Sequence, residues 1–247
     1  MRLFIAAVPF IIGLARAQTC PELPDTGVEM GEPVPMRPED IPDGCSAFEI
    51  LVARGTSEPN YEEGDGKFGV VVGDPVVSNV TAILPDARGY PVQYPASSNI
   101  FGAIRGARDV VSRLKSQSKL CPNQTFALVG YSQGASVMHR AADDIPKTLH
   151  SKIKALVMFG DPSQRFGNGK FPAGLQEKVL QNCADGDPVS PMRSPFSSDG
   201  ENLAANRRCK VCDSGLCTYY HLVYIRPEWI NKTVEFIVNA FTGGRYY

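Results

Sequence analysis

Apolar residues fall into two recurring patterns along the chain. Short, nearly continuous runs alternate with longer stretches in which apolar positions return every three or four residues. The runs Phe48-Glu-Ile-Leu-Val-Ala53, Thr125-Phe-Ala-Leu-Val-Gly130 and Ile153-Lys-Ala-Leu-Val-Met-Phe159 are of strand length and rich in Val, Leu and Ile. They predict strands buried on both faces. Tyr90 to Tyr94 and Lys178 to Cys183 are shorter strand candidates. Asp74-Pro75 supplies a cap and a first-turn proline for a helix that puts Val76, Val77, Val80, Ile83 and Leu84 on one face. Ile100 to Leu120 predicts a long helix with Ile104, Val110, Val111 and Leu114 apolar, Ser132 to His139 a helix entered directly from a strand, and Thr233 to Phe241 a last amphipathic helix. Strands alternating with helices predict an α/β domain: a mostly parallel central sheet with helices on both faces, in three layers. No internal repeat or low-complexity block interrupts it, so one domain is expected over residues 45–247.

The N-terminal segment follows other rules. Met1-Arg2 is a short positive start, Leu3 to Leu14 is apolar, and Ala15-Arg16-Ala17 has small residues at the two positions a signal peptidase reads. Residues 1–17 are therefore expected to be a secretory signal peptide, cleaved after Ala17. No later stretch reaches the ~18 consecutive apolar residues of a membrane span. Residues 18–44 carry Pro21, Pro24, Pro33, Pro35, Pro38 and Pro42. Because proline lacks an N–H and fixes φ, this stretch is expected to be an extended tail that resists helix and sheet.

Secretion changes how the cysteines are read. All seven, Cys20, Cys45, Cys121, Cys183, Cys209, Cys212 and Cys217, follow the expected cleavage site, in a compartment where disulfides persist. Cys209-Lys-Val-Cys212 has the spacing of half a zinc ribbon or of a thiol redox motif, but no second C-x-x-C accompanies it, which favours disulfides. An odd count leaves at least one cysteine free or bonded to another molecule. Asn79, Asn123 and Asn231 open N-x-[ST] sequons, the acceptor pattern for glycosylation. With 25 Lys+Arg against 26 Asp+Glu and a pI near 6.3, nothing electrostatic points to a nucleic-acid partner.

The candidate chemistry lies at Gly130-Tyr-Ser132-Gln-Gly134, a G-x-S-x-G pattern between an apolar strand and a helix. A sharp strand-to-helix turn with small flanking residues lifts the Ser132 hydroxyl above the sheet edge, as in α/β-hydrolase-like folds. It also puts the Gln133 N–H at a helix N-terminus, where it can meet a developing oxyanion. A serine nucleophile needs a base, and the chain has three histidines. His139 lies seven positions past Ser132 on the same helix and cannot fold back onto it. His150 precedes a strand and belongs at the opposite sheet edge. His221 remains, and it suits the chain order serine, acid, histidine. Spacing leaves the acid open among Asp143, Asp144, Asp161, Asp185, Asp187, Asp199 and Asp213. Asp185 and Asp187 follow a strand candidate, at the edge where functional groups gather in open α/β sheets.

Four segments, in order, resemble the cutinase family of cutinases and related acetylxylan esterases. They are Cys45 with Phe48-Glu-Ile-Leu-Val-Ala-Arg-Gly-Thr-Ser-Glu58, Cys121-Pro122 with Gly130-Tyr-Ser-Gln-Gly-Ala135, Cys183-Ala-Asp-Gly-Asp187-Pro-Val189, and His221-Leu-Val-Tyr224. Phe159-Gly-Asp-Pro162 adds a weaker match. The resemblance implies Ser132 as nucleophile, Asp187 as acid and His221 as base. It implies an oxyanion hole from Thr56 and Gln133, a Cys45–Cys121 disulfide, and a structural ion pair for Arg54. It implies no metal and no organic cofactor, an ester substrate such as a polyester or an acylated polysaccharide, and a monomer with no membrane attachment after signal cleavage.

Three features depart from the family pattern. Ser190 stands near where a cysteine usually follows the acid segment, so Cys183 must pair elsewhere, with Cys209, Cys212 or Cys217. Asp187 and His221 lie 34 positions apart, where the family has a short loop, and the extra residues include a cysteine-containing insertion over 193–217. Cys20 sits in the tail and could staple it to that insertion. The expected activity is secreted serine-esterase hydrolysis of cutin-type or short-chain esters. Acetylxylan esterase and a catalytically inactive secreted binding protein are the alternatives.

Overall fold

A computed structural model describes residues 30–61, 66–184, 187, 189 and 219–244. The expected signal peptide, the 193–217 insertion, Cys20, Cys209, Cys212, Cys217, Asp185, Asp199 and Asp213 lie outside the described residues. The strands are β1 (Met30–Pro33), β2 (Phe48–Ala53), β3 (Pro59–Tyr61), β4 (Ala87–Pro91), β5 (Thr125–Tyr131), β6 (Ile153–Phe159) and β7 (Val179–Asn182). The helices are α1 (Gly73–Ile83), α2 (Ile100–Leu120), α3 (Gln133–Asp144), α4 (Ser163–Phe166), α5 (Tyr219–Leu222) and α6 (Pro227–Thr242).

Five strands form one parallel sheet in the order β4-β2-β5-β6-β7. Alternation along each strand sorts the core into two layers. Ile50, Val52, Ala127, Val129, Ala155 and Val157 join Val76 and Val80 of α1 and Ile237 of α6. Leu51, Ala53, Leu128, Leu156 and Met158 join Val110 and Leu114 of α2 and Val137 and Met138 of α3. Burial on both faces explains why these strands read as continuous apolar runs. From β2 the chain goes to β4 on one side, and then through β5, β6 and β7 on the other. The order therefore reverses beside β2 and β5, the place where open α/β sheets form a crevice at the C-terminal ends of their strands.

Several elements differ from their sequence expectation for local reasons. β4 starts three residues before Tyr90 and stops at Pro91, and Tyr94 leaves the sheet to donate its hydroxyl to the Arg54 carbonyl. α1 is preceded by Val72, and the Asp74 carboxylate accepts the Lys67 and Phe68 N–H groups instead of capping the helix. Ile83 stays 43% exposed because it lies at the margin of the stripe that Val76, Val77 and Val80 define. α6 begins at Pro227, where proline's missing N–H is harmless. The expected tail also departs from a purely extended course. β1 pairs antiparallel with β3, with Pro33 opposite Pro59 at its end, and Pro38 opens a short 3-10 turn. A two-stranded edge ribbon tolerates prolines at its ends because no central ladder needs their N–H.

Cys45 and Cys121 form a disulfide with Cα atoms 5.7 Å apart, joining the entry of β2 to the end of α2. Cys183 is also disulfide-bonded, to a partner outside the described residues. Asn79, Asn123 and Asn231 are all exposed. Among the described residues, no helix is long and apolar enough to cross a membrane.

Glu49 is the polar exception inside β2. It is fully buried and accepts from Arg88 Nε at 2.8 Å and from Arg113 Nη2 at 2.7 Å, which ties β2 to β4 and α2. Removing one partner of a buried ionic cluster leaves the others uncompensated. Glu49→Ala is expected to cost about 3 kcal/mol in urea unfolding. A loss below about 0.5 kcal/mol, the size of an ordinary surface substitution, would show the cluster to be energetically idle.

Candidate active site

β5 is the central strand, and its last residues set the geometry. Ser132 follows with φ 53° and ψ −116°, a conformation that L-residues avoid, and α3 starts at Gln133. Glycine makes this turn possible. A Cβ at Gly134 would overlap the Ala53 carbonyl, and one at Gly130 would lie 2.6 Å from the Gly134 carbonyl oxygen. The first turn of α3 can therefore seat directly on the ends of β2 and β5. The Ser132 side chain makes no capping bond to α3, and its N–H donates to Phe159 O at 2.9 Å, at the end of β6.

His221 comes from α5, far along the chain. Its Nδ1 lies 3.0 and 3.1 Å from the two carboxylate oxygens of Asp187. Asp187 is fully buried, and its carboxylate accepts the Tyr224 hydroxyl at 2.5 Å and the Val189 N–H at 2.9 Å. The Tyr224 oxygen in turn accepts the Ala184 N–H at 3.0 Å. With Nδ1 occupied by Asp187, Nε2 is the ring nitrogen left to exchange a proton.

Two contacts bring this pair to the serine turn. Tyr131, the residue before Ser132, stacks on the His221 ring with centroids 5.1 Å apart and donates its hydroxyl to the His221 carbonyl at 2.7 Å. Gly160, at φ 51°, follows the Phe159 that holds Ser132. A Cβ there would lie 2.6 Å from His221 Cε1 and 3.0 Å from Asp187 Oδ2. Burial, together with the charges of Glu58 and Asp187, pushes the Tyr131 hydroxyl well above its ordinary pKa, so it remains a donor.

The other histidines lie elsewhere. His139 Nε2 is 2.8 Å from Asp161 Oδ2 and 2.6 Å from Ser163 Oγ, and its ring stacks on Phe171. Burial alone would raise the Asp161 carboxyl, but His139 and the Ser163 hydrogen bonds hold it down at about 2. His150 is buried, with Nε2 3.3 Å from Ile145 O. Asp143 and Asp144 end α3. Of the acids that spacing left open, Asp187 is the one that meets His221 among the described residues.

The turn after β2 completes the site. Ser57, Ala96 and Ser132 are the non-glycine residues with positive φ among the described residues, and all three meet here. Ser57 N–H donates to Ala96 O at 2.7 Å, and the Gln133 side chain donates to Ser97 O at 2.7 Å. The 96–97 segment thus straps the 54–58 turn to the start of α3. Neither the Thr56 N–H nor the Gln133 N–H donates to an acceptor among the described residues. Strain concentrated in one spot costs of order 1–3 kcal/mol per residue and is a mark of functional sites. Arg54, expected as an ion pair, instead donates to Tyr94 O at 3.0 Å. Sequence reasoning assigned no role to Tyr131, Gly160 or Tyr224. All three stand within motifs visible in the sequence, but their contacts through space were not.

The cutinase family model matches residues 44–200 and stops short of His221. A cutinase of Trichoderma harzianum is 35% identical over 153 residues, which make up 60% of this chain and 57% of that protein. The chain thus spans little more than half the length of that relative. The carboxylesterase Culp1 of Mycobacterium tuberculosis is 30% identical over 185 residues, 67% of this chain and 83% of that protein. Among solved structures, Trichoderma reesei cutinase in complex with a phosphonate inhibitor has a TM-score of 0.60 and 30% identity, covering 87% of this chain and 81% of that one. An acetylxylan esterase has a TM-score of 0.57 and 21% identity, covering 80% of this chain and 100% of its own, a likeness of fold.

Proposed function

Because the chain belongs to the cutinase family, we propose that it hydrolyses carboxylic esters through an acyl-serine intermediate. The observation that carries this reading is the strained Ser132 turn beside His221 and its buried partner Asp187, at the C-terminal edge of a parallel sheet. Ser132 Oγ attacks the ester carbonyl while His221 Nε2 takes its proton. The oxyanion is received by the Thr56 and Gln133 N–H groups. The tetrahedral adduct collapses as the imidazolium returns the proton to the leaving alkoxide, releasing the alcohol. Water then attacks the acyl-enzyme with His221 as base, and the acid leaves. Asp187 holds the imidazole in the tautomer with its proton on Nδ1 and stabilises the imidazolium; Tyr224 and the Val189 N–H hold Asp187.

Secretion belongs to the same proposal. The N-terminal signal pattern and the disulfides at Cys45–Cys121 and Cys183 support it, since disulfides persist in oxidising compartments.

The test is covalent. A p-nitrophenyl alkylphosphonate is expected to release about one equivalent of p-nitrophenolate and to leave its phosphonyl group on the peptide containing Ser132. No burst, or a label on another residue, overturns the proposal. Rates on p-nitrophenyl esters from acetate to palmitate then sort the substrate class. A maximum at butyrate supports a cutinase-type pocket, and activity confined to acetate supports an acetylxylan esterase.

A further inference from the structure

Beneath the proposed oxyanion turn lies a carboxylate that the mechanism leaves unused. Glu58 is 3% exposed. Its Oε2 accepts the Gly55 N–H at 2.6 Å, and its Oε1 accepts the Val71 N–H at 2.8 Å. Gly69, at φ 91°, crosses the carboxyl so closely that a Cβ there would overlap it. Glu58 thereby pins the residue preceding Thr56 to the segment that leads into α1. The groups facing it are Arg54 on its own turn, Asp74 of α1, Tyr94 after β4 and Tyr131 of β5. No cation forms an ion pair with it among the described residues, and the Arg54 guanidinium is turned to Tyr94 O.

We propose that Glu58 is a positioning residue that holds the Gly55–Thr56 turn ready for an oxyanion only while it is ionised, so that turnover depends on a second proton besides that of His221. This inference rests on the esterase reading above. Its physical basis is the donor geometry. Two N–H groups reach two different oxygens, and only a carboxylate accepts fully at both. Protonation puts an O–H where one of those N–H groups points. Loosening the Gly55 bond frees the Arg54–Gly55 peptide, one Cα away from the peptide that carries the Thr56 N–H, and a misplaced oxyanion donor costs rate rather than binding.

Burial pushes the Glu58 carboxyl up to about 7, helped by the Asp74 charge and against the opposing pull of its two backbone hydrogen bonds and of the Arg54 charge. The proposed activity is therefore present above that pH and lost as pH falls through it. The effect on stability has the opposite sign. The folded state takes up this proton more readily than the unfolded state, whose value is near 4.5, so this group's contribution to stability grows as pH falls from about 7 toward 4.5.

Glu58→Gln offers an amide N–H₂ to one of the two donors and cannot satisfy both. It is expected to lower kcat on p-nitrophenyl butyrate by about 10- to 100-fold at about pH 8, with KM changed less than about threefold. The acidic limb of log kcat is expected to have a slope of about two in the wild type and about one in the variant. Wild-type kcat and slope in Glu58→Gln overturn the proposal. A readout on the wild-type protein needs no variant and no turnover. The Gly55 and Val71 amide proton resonances are expected to titrate together with a midpoint near 7. Amide signals that stay constant through neutrality overturn the proposal even if the variant fails to fold. Absence of Ser132-dependent turnover in the wild type sinks the esterase reading instead, and the amide titration tells the two failures apart.

Discussion

Ser132→Ala is expected to lower kcat/KM for p-nitrophenyl butyrate by about 10⁴- to 10⁶-fold, with thermal unfolding nearly unchanged. The loss follows from removing the group that forms the acyl bond in the proposed mechanism. What remains is any help that the oxyanion donors give to attack by water. The stability half of the prediction comes from the backbone. Ser132 has φ 53° and ψ −116°, and alanine keeps the Cβ that makes this costly. Ser132→Gly removes it. Relief of strain of order 1–3 kcal/mol, less the ~0.5–1 kcal/mol that a glycine loses in unfolded freedom, predicts a net gain of about 1 kcal/mol. In a domain of this size that is roughly 2–4 °C in Tm. A fully active Ser132→Ala removes Ser132 as nucleophile. A Ser132→Gly protein less stable than Ser132→Ala removes the strain account.

Asp187→Asn is expected to lower kcat by about 10³- to 10⁴-fold, with KM changed little. Asparagine keeps the shape but offers an amide N–H₂ where His221 Nδ1 now meets carboxylate oxygens at 3.0 and 3.1 Å. An imidazole that accepts there carries its proton on Nε2, the atom that must take the proton of Ser132. The imidazolium also loses its counter-charge inside a buried site, where that charge is poorly screened. Because Tyr224 and the Val189 N–H hold the side chain at 2.5 and 2.9 Å, the substitution tests electrostatics and tautomer more than position. Removing the tyrosine oxygen isolates the positioning share, and Tyr224→Phe is expected to have a smaller effect, about tenfold. An Asp187→Asn enzyme within about threefold of wild-type kcat would show that His221 needs no carboxylate, and the proposed mechanism would fall.

The cysteines mark a boundary on what motif reading supplies. Cys45 and Cys121 are bonded, as the resemblance implied, because both flank elements that the sheet brings side by side. Cys183 is bonded too, but its partner belongs to residues outside the description, so the choice among Cys209, Cys212 and Cys217 is unchanged.

What the sequence determined by itself is local. The buried runs at 48–53, 125–130 and 153–159 became adjacent parallel strands, because a strand covered on both faces must be apolar throughout. The serine turn was legible because its glycines answer to contacts within a few residues and to the neighbouring strand end. His139 could be set aside for a similar reason, since a helix fixes the direction of its own residues. Only the tertiary structure decided what depends on segments distant in the chain. His221 and Asp187 are 34 positions apart, and seven carboxylates fitted the spacing equally well, so that before the fold only the motif resemblance pointed to Asp187. The fold alone brought one of them to His221, set Tyr224 and Gly160 around that pair, and buried Glu58 under the Gly55–Thr56 turn. Spacing along a chain constrains backbone geometry over a turn or two, whereas burial and pairing across elements depend on how the layers pack.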